Sequence, residues 1–95
     1  MPIQTAIRQI IDEVPSGCVF DSHFVIVCLL EKYSDEYLEF ASSVNAGTNK
    51  TLAVHGKIGQ EIARFENADL ARLTHESWSK NIHGNDSRCT CWRKR

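Results

Sequence analysis

The sequence predicts an α+β fold that is mainly helical, in which helices are followed by a C-terminal β-hairpin. Apolar residues recur at helical spacing through the first two thirds of the chain, and the period changes after residue 69. The chain has 95 residues, of which 42% are apolar and 24% charged, a composition typical of globular proteins. We therefore expect a single domain over residues 1–95.

The first segment is predicted to be an amphipathic helix, because one stripe of its surface is apolar. The stripe consists of Ile3, Ala6, Ile7, Ile10, Ile11 and Val14. Pro15 and the following Ser16-Gly17 end the helix, since proline disfavours helical backbone in the residue before it. The short apolar segment 18–20 is a candidate strand.

A buried helix is predicted over residues 22–33, because Asp21 or Ser22 can cap it and helix-forming residues follow. The β-branched run between Phe24 and Leu30 leaves a buried strand open as the alternative. A third, short helix is expected to begin with Ser34 as its cap, followed by a polar loop over residues 42–49.

Residues 50–66 are predicted to form the fourth helix. Val54, Ile58, Ile62 and Phe65 share one face, and Lys57, Gln60, Glu61 and Arg64 share another. Gly56 and Gly59 each cost about 1 kcal/mol of helix stability relative to alanine. They indicate the close approach of another backbone or of a partner, or a helix that begins later.

The last third of the chain is predicted to form a hairpin. Residues 70–78 and 88–92 are the two strands, and residues 79–87 are a polar tip rich in turn formers. Trp78 and Trp92 are expected to pack on the core as neighbours in the hairpin.

This order of helix, short strand, helix, short helix, helix and hairpin resembles the winged helix-turn-helix superfamily. The resemblance covers nearly the whole chain and rests on element order and hydrophobic pattern. It implies that residues 50–66 are a recognition helix in the major groove of DNA and that residues 79–88 are a wing. The function it implies is that of a small, non-enzymatic DNA-binding protein, such as a transcriptional regulator.

The distribution of charge also indicates a polyanionic partner. Residues 1–47 carry two basic and seven acidic side chains, whereas residues 48–95 carry nine basic and five acidic ones. The halves therefore have net charges of −5 and +4. Two features run against this prediction: the pI is about 6.4, and Glu61 shares the predicted reading face.

The predicted DNA-binding residues fall into two groups. The residues expected to face the major groove are Lys50, Lys57, Gln60 and Arg64. The residues expected to contact the DNA backbone from the wing are Lys80, Asn81, His83 and Arg88. The predicted partner is double-stranded DNA, bound by a symmetric homodimer that reads two half-sites.

The alternative is a protein–protein interaction module of similar fold that does not bind nucleic acid. Its surface would come from the acidic half of the chain, with Tyr33, Tyr37 and Phe40 as aromatic contacts.

We expect neither a metal, nor a cofactor, nor catalysis. His75, His83, Cys89 and Cys91 contain the atoms of an N2S2 set, but a C-x-C spacing does not match structural zinc sites. The sequence also lacks the common catalytic motifs. Without a signal-peptide pattern or a long apolar run, the predicted location is the cytoplasm, with free thiols and no membrane contact.

Overall fold

The computed structural model describes residues 1–45 and 47–95. Its elements in chain order are α1 (Ile3–Glu13), β1 (Val19–Asp21), α2 (Ser22–Lys32), α3 (Ser34–Ser43), α4 (Lys50–Ala63), β2 (Leu70–Arg72), β3 (Ser77–Lys80), β4 (Asp86–Cys89) and β5 (Cys91–Lys94). The predicted α+β, mainly helical fold with C-terminal strands is confirmed. Within the described ranges, no helix has the length and apolar character needed to span a membrane.

Helices α1 and α2 follow the sequence prediction. The apolar stripe of α1 is buried, and the Lys94 ammonium donates to the carbonyls of Ile11 and Val14 at 2.8 and 3.2 Å, at the end of the helix. The Asp21 carboxylate accepts from the Phe24 N–H at 2.9 Å and so caps α2. Residues 24–30 are therefore helical, and the strand alternative is wrong.

The boundaries of α3 and α4 differ in part from the prediction. Tyr33 occupies the N-cap position of α3 without a side-chain cap bond, so the predicted capping by Ser34 is wrong. Helix α3 extends to Ser43, and Ala46, within the predicted loop, lies outside the described residues. Helix α4 begins at Lys50, capped by Asn49, but ends at Ala63 because the chain turns through a left-handed Asn67 (φ 76°).

The hairpin is divided into two parts by an irregular segment. Strand β5 lies between β1 and β2 in an antiparallel sheet, in which Phe20 and Arg72 both pair with Trp92. Strands β3 and β4 form a second antiparallel pair, so the predicted continuous strand over residues 70–78 is wrong. Residues 73–76 interrupt it, and the described tip shortens to residues 81–85.

The core lies between the helices and the inner face of the three-stranded sheet. Trp92 is the largest fully buried side chain, and it packs with residues from all four helices. Trp78 is 66% exposed, so its predicted place on the core is wrong. The reason is strand alternation: Ser77 and Ser79 point inwards to Asp21, which turns Trp78 to the outside.

Candidate nucleic-acid interface

Helix α4 buries one face and exposes the other, as its spacing predicts. Val54, Ile58 and Ile62 are buried against the other helices, whereas Lys57 and Arg64 are exposed. Because 14 residues of helix span about 21 Å, the outer face of α4 is long enough to cross the major groove of a duplex.

Glu61 does not share the exposed face of α4. Only 14% of its side chain is exposed, and its Oε2 atom has no hydrogen-bond partner among the described residues. The Arg64 Nε atom lies 3.5 Å from the same oxygen, which is within ion-pair range but is not a hydrogen bond. The expected repulsion between Glu61 and phosphate is therefore reduced, since the carboxylate is turned inwards and lies beside a cation.

Gly56 and Gly59 leave an open stretch on the surface of α4. A Cβ atom added at either position would meet no atom within 4 Å. The chain itself therefore does not require these glycines for packing, and α4 begins where it was predicted to begin. Neither the close approach of another backbone of this chain nor a later helix start therefore accounts for these glycines.

A groove of about 490 Å³ runs between α4, the first turn of α2 and the hairpin. Its lining includes Gln60, Asn81 and Arg88, three of the predicted DNA-binding residues, together with both glycines. Arg72 and Arg88 are the cations of the lining and Glu76 is its one carboxylate. Arg72 is itself paired with Glu66 at 3.2 Å, so the groove combines open helix backbone with little net charge.

The basic side chains of α4 and of the C-terminal strands differ in their availability. In the part of the chain that the structure describes, Lys50, Lys57, Arg88 and Arg93 form no ion pair. The Lys80 ammonium lies 3.3 Å from Asp86, so this predicted contact residue is already paired. Such exposed pairs are weak, about 0–1 kcal/mol, and a phosphate can compete for the cation.

Asn81 and His83 lie at the tip of the hairpin, and Asn81 shapes it. The Asn81 Oδ1 atom accepts from the backbone N–H groups of His83 and Asn85, at 2.9 and 3.1 Å. The side chain of Asn81 is thus partly committed to the turn, while its amide N–H groups remain available as donors. His83 is exposed.

A polar network joins the hairpin to the start of α2. Ser77 and Ser79 donate to Asp21 Oδ2 at 2.7 and 2.9 Å. His23 lies between two hydroxyls, with Nδ1 2.6 Å from Ser79 Oγ and Nε2 3.3 Å from Ser87 Oγ. Because Ser79 gives its one hydrogen to Asp21, the His23 Nδ1–H is the donor to Ser79.

This network lowers the pKa of Asp21. Burial favours the protonated carboxyl, but the hydrogen bonds from Ser77, the Phe24 N–H and Ser79 outweigh burial, so the pKa lies below its ordinary value. The sequence did not reveal the network, because its partners are separated by 56 to 64 residues. The one local signal was Asp21 as a helix cap.

His55 is a second histidine beside the groove. Its Nε2 atom is hydrogen-bonded to the Tyr37 hydroxyl oxygen at 2.9 Å. Burial lowers the pKa of His55, and the nearby His83 and His23 lower it further. His55 is therefore held in its neutral form.

Among the described residues, the two histidines and two cysteines do not come together as an N2S2 set. His75 and His83 are exposed, and among the described residues Cys89 shares a cluster of ligand-type atoms only with Asp21 and His23. All four cysteines are free thiols. Cys18 is exposed, and burial raises the pKa of Cys89.

The aromatic surface expected for protein binding is largely absent from the exterior. Tyr37 is buried, and Tyr33 and Phe40 are half-buried against the core.

Comparison of the chain with family models, curated proteins and solved structures found no match.

Proposed function

We propose that this protein binds double-stranded DNA without a catalytic step, through α4 and the hairpin. The observation that carries the proposal is the groove between them, which places the open glycine surface of α4 beside Arg88, a cation with no ion pair among the described residues. Cations are needed to displace the counterions condensed on DNA. Open helix backbone lets a phosphate or a base edge come within hydrogen-bonding range.

The two elements have distinct roles in the proposal. Helix α4 lies in the major groove, where Gln60 and Arg64 contact base edges and Lys50 and Lys57 contact phosphates. The hairpin contacts the DNA backbone through Arg88, the amide of Asn81 and His83. Lys80 contacts it once a phosphate replaces Asp86 as its partner. These are the places that the winged-helix resemblance gives to a recognition helix and a wing.

Trp78 is an addition to the residues that the sequence nominated. It pairs across the strands with Arg88, and both side chains point away from the core. An exposed indole next to an arginine offers an apolar surface and an N–H donor to the sugar-phosphate backbone.

Dimeric binding to two half-sites and a role in regulating transcription in the cytoplasm remain predictions.

Equilibrium binding to fluorescein-labelled duplexes of mixed sequence tests the proposal. We expect micromolar or tighter binding at low salt, weakened by Lys57→Ala or Arg64→Ala. For Arg64, loss of a base contact weakens affinity for the preferred sequence by about 1–3 kcal/mol. The matched control is Lys32→Ala, since Lys32 is an exposed lysine paired with Glu13, away from the groove. Equal effects of Lys32→Ala and Lys57→Ala would refute the assignment.

A second candidate function, protein binding, is favoured by one observation. An apolar groove of about 660 Å³ lies between the end of α1, β1 and α2, where Val19 and Phe24 are 51% and 43% exposed. We expect Phe24→Ser to abolish binding of a protein partner there while leaving DNA affinity unchanged. Loss of DNA binding in this variant, with its fold intact, would speak against separate surfaces.

A further inference from the structure

The junction of the hairpin with α2 brings together three different metal-ligand side chains. Asp21 ends β1, His23 lies in the first turn of α2 and Cys89 ends β4. One carboxylate oxygen, one ring nitrogen and the Cys89 Sγ atom lie within 4.8 Å of one another. All three residues are half-buried, so their mutual approach is imposed by the fold.

The donor set selects a class of cation. Thiolate sulfur and imidazole nitrogen with one carboxylate oxygen suit zinc and neighbouring divalent transition metals, whereas calcium and magnesium prefer oxygen ligands. With bond lengths of about 2.0–2.3 Å, ligand atoms around tetrahedral zinc are about 3.3–3.8 Å apart. A contraction of about 1 Å would therefore bring the cluster to that geometry.

The surrounding hydroxyls already orient two of the ligands. Ser77 and Ser79 hold the Asp21 carboxylate, and Ser79 also holds the His23 ring through Nδ1. Each ring nitrogen of His23 has a serine partner, Ser79 at Nδ1 and Ser87 at Nε2. A metal bond to one nitrogen replaces the hydrogen bond there, and the hydrogen bond at the other nitrogen keeps the ring oriented, as is common for metal-binding histidines.

We propose that Asp21, His23 and Cys89 bind one divalent cation of the zinc class. His23 and Cys89 both line the groove beside α4, so the fourth coordination position is open to solvent. Three protein ligands with an open fourth position is a coordination pattern found in zinc sites that exchange a bound ligand. The proposal does not depend on DNA binding.

Such a site would link segments far apart in sequence. Cys89 lies beyond the tip of the hairpin, whereas Asp21 and His23 flank the start of α2. A cation held by all three fastens the β3–β4 pair to α2. It also stabilises the folded state by mass action, because the unfolded chain does not hold the ligands together.

Cobalt(II) titration of the reduced, chelator-treated full-length protein tests the proposal. We expect one equivalent to produce a thiolate-to-cobalt band in the near ultraviolet, with d–d bands in the visible. Zinc should displace the cobalt and abolish both. Cys89→Ser should remove the thiolate band, and His23→Gln should weaken cobalt binding at least tenfold.

Cys18→Ser is the matched control, because Cys18 is an exposed thiol outside the cluster. It should leave the titration unchanged. Circular dichroism establishes that each variant is folded, and Cys89→Ala replaces Cys89→Ser if that variant is not. Any of three results would overturn the proposal: the protein does not bind one equivalent of cobalt, the thiolate band persists in Cys89→Ser, or the band disappears in Cys18→Ser.

Discussion

Asp21 joins the start of α2 to the hairpin through both of its carboxylate oxygens. Its Oδ1 atom caps α2, and its Oδ2 atom holds Ser77 and Ser79 of the hairpin. The sequence predicted the cap because capping is a local interaction between residues three apart. It could not predict the contacts with the serines, which depend on how the hairpin folds over the start of α2.

Replacement of Asp21 should therefore be more costly than loss of a surface acid. We expect Asp21→Ala to lower the free energy of unfolding by about 2–4 kcal/mol, from a lost helix cap and serine hydroxyls left without an acceptor. Urea unfolding of Asp12→Ala is the control, since Asp12 is exposed and its contact with Arg8 is a 3.7 Å surface pair. Similar midpoints for the two variants would contradict the role given to Asp21.

His55 predicts a pH dependence of stability. Its pKa in the folded protein is below the ordinary 6.5, chiefly through burial and then through His83 and His23. As the pH falls below about 6.5, the unfolded chain therefore binds more protons at His55 than the folded protein does. The stability contributed by neutral His55 is complete above this pH and is lost as the pH falls towards the folded-state pKa.

We expect His55→Gln to reduce the fall in stability below pH 6.5, measured by urea unfolding across pH. The exposed His75 gives the control variant His75→Gln, which should follow the wild-type curve. Parallel curves for all three proteins would contradict this account of His55.

At the scale of elements, helices were predicted better than strands. The apolar stripes of α1 and α4 identified both helices, because burial of one face at a period of 3.6 residues is written into the local sequence. The two-part hairpin was not predicted, since its break at residues 73–76 depends on the inward turn of Ser77 and Ser79 towards Asp21. The orientation of Trp78 was misjudged for the same reason.

The glycines of α4 give a prediction at this scale. Gly59→Ala should stabilise the protein by about 1 kcal/mol, because an alanine favours helix and its Cβ meets no neighbouring atom. The same variant should weaken DNA binding, since the added methyl group obstructs close approach to the helix backbone. Thermal unfolding and duplex binding measured on one preparation check both effects. A more stable variant with unchanged DNA affinity would show that the open surface is not a contact.

At the scale of the whole molecule, the division of charge follows the division of the fold. The acidic half supplies α1, β1, α2 and α3, whereas the basic half supplies α4 and the hairpin. The groove is bordered by α4, the hairpin and the first turn of α2. With principal extents of 37 × 30 × 21 Å, the molecule spans about one turn of a duplex, which is roughly 34 Å. The near-neutral total charge thus conceals an acidic half and a basic half.

The salt dependence of duplex binding tests the central claim most directly. If α4 and the hairpin contact phosphates, the logarithm of the binding constant should fall linearly with the logarithm of salt concentration. The combined variant Lys57→Ala/Arg88→Ala should then have a slope shallower by about 2 units, because two phosphate contacts are lost. Lys32→Ala should keep the wild-type slope. No binding at low salt, or the same slope in all three proteins, would contradict the claim that this surface binds DNA.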